Sequence, residues 1–79
     1  MPRVKSLDAQ TKKERKVHAI IERYMIELNK EDAEVADRLN IHVQTFRRKK
    51  KKPSQFTLWE MQQLAMYLRF EERDRAACL

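Results

Sequence analysis

The chain has 79 residues, with 18 Lys or Arg against 12 Asp or Glu and a net charge of +6. This length permits one small domain that buries about 63% of its unfolded surface, so neither a second domain nor a walled catalytic cleft is expected. The absence of glycine excludes phosphate-cradling glycine loops and disfavours strand-rich folds, and the single cysteine, Cys78, excludes an internal disulfide and a cysteine-built zinc site. The class expected is all-α. Apolar runs are too short for a membrane span or signal peptide, so a cytoplasmic chain is expected.

Residues 1–10 lack periodicity and read as a flexible basic arm, with Ser6 as an alternative early cap. Thr11 and Glu14 form a capping box that predicts a first helix over about 11–28. Its apolar residues Val17, Ile20, Ile21, Tyr24, Met25 and Leu28 share one face about 140° wide. Asn29 is expected to end it. A second helix over about 31–39 carries Val35, Ala36 and Leu39. Asn40 follows as the best left-handed turn residue in a chain without glycine. His42 is expected to cap a third helix over about 43–51, which Pro53 stops.

Thr57 and Glu60 form a second capping box, and Phe56 can staple onto Met61, opening a fourth helix over about 57–70. Leu58, Met61, Leu64, Ala65 and Leu68 make its core stripe. Trp59, Met66 and Phe70 make a second stripe, which reads as an exposed homodimer interface. Residues 71–79 are expected to form a tail or an extension of that helix. The domain proper is thus 11–70, in four helices.

Charge is unevenly spread. His42 to Phe56 holds six bases and no acid, whereas Glu27 to Asp37 holds five acids and one base. A face so basic suits a polyanion. The segment Asp32 to Lys51 (DAEVADRLNIHVQTFRRKKK) carries Val35-Ala36, Leu39, the Asn40-Ile41 turn and Gln44-Thr45-Phe46 before the bases. In these features it resembles the helix-turn-helix of the λ repressor and Cro family, also called the XRE family. Asn40 stands where that family commonly has glycine. Lys49 stands where an apolar residue is commoner, and its stem is expected over the core edge with the ammonium in water. Glu31 and Asp32 stand where a neutral phosphate-contacting residue is common.

The resemblance implies a λ repressor-like, sequence-specific, double-stranded DNA-binding protein. It implies a phage or bacterial transcriptional regulator, such as a repressor, that acts as a homodimer by occupying an operator. Helical-wheel positions and base chemistry then assign Val43, Gln44 and Arg47 as base readers. Thr45, Arg48, Lys50, Lys51 and Lys52 are assigned to phosphates, and His42 to a further DNA contact. No cofactor, metal, membrane or small-molecule ligand is expected.

An enzyme is not expected. Glu14, His18 and Glu22 lie one turn apart but form an incomplete metal site, better read as a solvated helix face. Cys78 has no adjacent base to activate it. The main alternative is a protein-protein interaction module built on the same fold, using the second stripe of the fourth helix. Single-stranded RNA binding would want aromatics exposed among the bases and ranks last.

Overall fold

The computed structural model describes residues 9–78, so Ser6, most of the expected arm and Leu79 lie outside the described residues. These residues form five α-helices and one 3-10 turn, with no strand among them. The helices are α1 (Ala9–Glu27), α2 (Asp32–Arg38), α3 (Val43–Lys51), α4 (Leu58–Tyr67) and α5 (Glu72–Cys78); the turn is Pro53–Gln55. The class is all-α as expected, but there is one helix more than the sequence predicts.

α1 runs along the domain and packs against α3, the 3-10 turn and α5, while α2 packs on α3 and α4. Its start lies before Thr11, so Thr11–Glu14 is not the helix boundary; Glu14 instead accepts from Ser54 in the 3-10 turn. The core joins Val17, Ile20, Ile21, Tyr24 and Met25 of α1 to Val35, Ala36 and Leu39, with Phe46 of α3 and Met61, Leu64, Ala65 and Leu68 of α4. Phe46, Ile21, Leu39 and Leu64 are fully buried. Leu28 and Leu58, both expected in the core, are exposed. Leu28 follows the last residue of α1 and Leu58 is the first of α4, and each lines an open surface hollow instead of the core.

A chain without glycine still has to close its helices. Asn29, Asn40 and Arg69 adopt φ of 56°, 60° and 57°. After each, the next residue's N–H reaches back five positions: Lys30 to Met25 at 2.8 Å, Ile41 to Ala36 at 3.0 Å and Phe70 to Ala65 at 3.0 Å. These are Schellman closures, which glycine usually makes. Asparagine tolerates the left-handed region well; arginine has no such local compensation. The two asparagines behave as expected, and Arg69 is the one the sequence does not reveal.

That third closure corrects the second stripe of α4. The wheel places Phe70 beside Trp59 and Met66 only if the helix continues to residue 70. It stops at Tyr67, and the left-handed Arg69 turns the chain inward. Phe70 is buried at 9% exposure, its ring 4.6 Å from that of Tyr24. It is a core residue and not part of an open interface. Trp59 and Met66 do remain exposed, at 53% and 65%.

The expected tail is α5, docked on α1. Tyr24 Oη donates to Asp74 Oδ2 at 2.6 Å and accepts from the Glu71 N–H at 3.0 Å. Arg23 Nη2 reaches the same Asp74 oxygen at 2.6 Å. The Tyr24 hydrogen bond is the chief cause that holds the Asp74 pKa below the usual carboxylate value; burial opposes it and Arg23 adds to it. Cys78, the last residue of α5, is buried in the core. Burial, with Asp74 nearby, pushes its thiol pKa up to about 11.

Candidate nucleic-acid interface

α3 begins where the His42 imidazole accepts from the Gln44 N–H at 3.2 Å, the N-cap expected of it. Phe46 then fixes the rotation of the helix by inserting into the core. Gln44, Arg47, Arg48, Lys51 and Lys52 are thereby left on the opposite side, exposed and lining one open concavity. Arg48, Lys51 and Lys52 form no ion pair among the described residues. Val43 sits at the edge of this surface, partly buried against the core, and Thr45 is half-buried. His42 is exposed at the start of the helix.

Two bases of the run turn the other way. Lys49 does not hold its ammonium in water. Its Nζ donates to Glu60 Oε1 at 2.7 Å and Oε2 at 3.0 Å, with the two side chains only 15% and 9% exposed. Glu60 also completes the cap of α4: it accepts from the Thr57 N–H at 2.9 Å, while Thr57 Oγ1 accepts from the Glu60 N–H at 3.0 Å. Burial works against the Glu60 carboxylate. Lys49 and Thr57 outweigh that effect and hold its pKa below the usual value.

Lys50, assigned to phosphate by the sequence, is buried. Its Nζ lies 2.6 Å from Asp32 Oδ1 and 2.9 Å from Glu22 Oε1, and 5.5 Å from the centre of the Phe46 ring. Its carbonyl accepts from His18 Nδ1 at 2.8 Å. A cation so enclosed is already neutralised and cannot reach a phosphate outside. Burial opposes the charges of Lys50 and Asp32 alike, but their mutual hydrogen bond and the further partners prevail. The Lys50 pKa is raised and the Asp32 pKa lowered.

Asp32 also reaches outward. Arg47 Nε donates to its Oδ2 at 3.1 Å, while the Arg47 side chain stays 57% exposed. The acid at the start of α2 is therefore turned toward the bases of α3, and its charge is compensated by two cations. Glu14, His18 and Glu22, read as a solvated face, each contact the 3-10 turn or α3 separately. The sequence held a hint of this, since acids cluster in 27–37 and bases in 42–56. Which acid meets which base is fixed only by the packing of α1, α2 and α3.

No protein-family model matches the chain, and neither characterised proteins nor solved structures include a significant match. Among the described residues no helix is long and apolar enough to cross a membrane, and no group of acidic, His or Cys residues could hold a metal ion. A second basic surface lies around Tyr67, with Lys30 Nζ 5.2 Å and the Arg38 guanidinium carbon 5.3 Å from its ring centre. Leu28, Met66 and Arg69 line the same hollow.

Proposed function

We propose that this protein binds double-stranded DNA in a sequence-specific way and regulates transcription by occupying an operator. The observation that carries the reading is the outer face of α3. There, Gln44, Arg47, Arg48, Lys51 and Lys52 project together into solvent from a helix whose other side is locked by Phe46. In this reading α2 and α3 act as a helix-turn-helix of the λ repressor and Cro type, with α3 in the major groove. Gln44 and Arg47 read base edges, with Val43 at the rim. Arg48, Lys51 and Lys52 contact phosphates, with Thr45 and His42 at the margin.

A homodimer through the exposed Trp59 and Met66 of α4 belongs to the same reading, because paired recognition helices meet successive major grooves. Sedimentation of the wild type at tens of micromolar should show a dimer that Trp59→Glu dissociates. Those two residues also favour the second reading, a protein-binding module. The salt dependence of binding to a random-sequence duplex separates the readings. Each phosphate neutralised contributes about −0.9 to the slope of log K against log salt, so a slope of several units is expected. A slope near zero, or no binding at low salt, removes the DNA reading in favour of the module.

A further inference from the structure

The outward direction of Arg47 is set from behind. Its Nε–H donates to Asp32 Oδ2 at 3.1 Å, and the other oxygen of that carboxylate accepts from Lys50 Nζ at 2.6 Å. Lys50 is in turn tied to Glu22 at 2.9 Å and buried against Phe46. A continuous line of charged contacts thus runs from α1, through the first residue of α2, to the exposed face of α3. Arg48, one position on, has no such support among the described residues.

The consequence is geometric. A guanidinium held through Nε presents Nη1 and Nη2 side by side at its far end, where both can donate at once. That pair of donors matches the O6 and N7 acceptors on the major-groove edge of guanine. A side chain already held this way also loses less rotamer freedom on docking than a free one. The single-point ammonium of Lys51 or Lys52 gains no comparable directionality.

We propose that Asp32, anchored by Lys50 and Glu22, is a positioning residue that aims the Nη edge of Arg47 at guanine and so sets the base preference at one position of the DNA site. This rests on the duplex-DNA reading above. It gives Asp32 and Lys50 a role in specificity without any contact to DNA.

The test is Asp32→Asn, which keeps the shape of the side chain and removes its charge. Preferred duplexes are first selected from a randomised pool with the wild type. The position that Arg47 reads is located with Arg47→Ala, and each base pair is then placed there in turn. Asp32→Asn is expected to lower the preference for guanine at that position by about tenfold. Binding to random-sequence duplex should hold or rise, because an acid has been removed. In an Arg47→Ala background the same change should leave base preference untouched.

If circular dichroism shows Asp32→Asn to be unfolded, Glu22→Gln loosens the same anchor from its more exposed end. It is expected to relax the same position about twofold, a smaller effect because Lys50 stays on Asp32. The proposal is overturned if the variant that folds keeps the full guanine preference, or loses specific and random-sequence binding by one common factor. A wild type that binds no duplex at low salt removes the parent reading as well. A wild type that binds, with preference unchanged in the variants, removes only the positioning role.

Discussion

Along α3 and its C-cap, Lys49 and Lys50 lie against acids of other helices, whereas Arg48, Lys51 and Lys52 beside them face solvent with no ion pair among the described residues. In sequence these are neighbours in one basic run. The helix sorts them by angle: Phe46 goes into the core, and the bases nearest its side follow it in. Inner bases are spent on joining α3 to α1, α2 and α4. Outer bases remain available to a polyanion. Counting the run as a single electrostatic feature overstates the charge that a ligand meets.

The largest effect expected from this division is on stability. Lys49→Ala leaves Glu60 buried without its cation, and removing one partner of a buried pair typically costs about 3–5 kcal/mol. Lys51→Ala should change stability by less than about 0.5 kcal/mol, as exposed surface substitutions usually do. Urea denaturation of the two variants at neutral pH measures both. Similar losses would mean that the two sides of α3 do not differ in this way.

Acid should act through the same inner pairs. The pKa values of Glu60 and Asp32 are both lower in the folded protein than usual. Depressed carboxylate values give stability that is present above the unfolded value, near pH ~4, and is lost as pH falls through the folded value. Lys50 has the opposite sign: its raised pKa gives stability present below the usual lysine value and lost as pH rises through the folded one. A stability plateau between these limits is expected. Glu60→Gln keeps an acceptor for the α4 cap but removes the charge facing Lys49. Its urea midpoint should therefore depend less on pH between about 5 and 3 than that of the wild type. Equal slopes in the two proteins would show that the Lys49 pair carries no acid sensitivity.

Local signals made much of the fold legible. The Thr57–Glu60 box, the His42 cap, the two asparagine turns and the span of α3 all depend on residues within a few positions of one another. What was hidden depends on distance along the chain. Tyr24 and Asp74 are separated by 50 positions, and without that contact α5 reads as a charged tail. Arg69 carries no turn signature, so the wheel ran on through it and put Phe70 on the wrong side. The basic outer face followed from helical angle alone. The same angle turns Lys50 toward the side of Phe46, but which acids neutralise it there does not follow from the angle, because Glu22 and Asp32 are delivered by other helices.

The smallest effect is also the most diagnostic of the outer face. Lys51 is exposed on the side of Gln44 and Arg47, and nothing among the described residues competes for its charge. If it neutralises a phosphate, Lys51→Ala should reduce the salt slope by about 0.9 for each protomer bound, about 1.8 for the homodimer, and weaken all duplex sequences alike. Its base preference should be that of the wild type, since a phosphate contact positions without reading. Lys49→Ala, measured at a temperature where it is folded, should leave the slope unchanged, because the ammonium it removes is already matched by Glu60. The measurement is a fluorescence titration of one labelled duplex across a salt series, run with both variants. A slope that falls for Lys49→Ala and holds for Lys51→Ala would reverse the assignment of the two faces. It would place the ligand, whatever its chemistry, on the side of α3 toward α4.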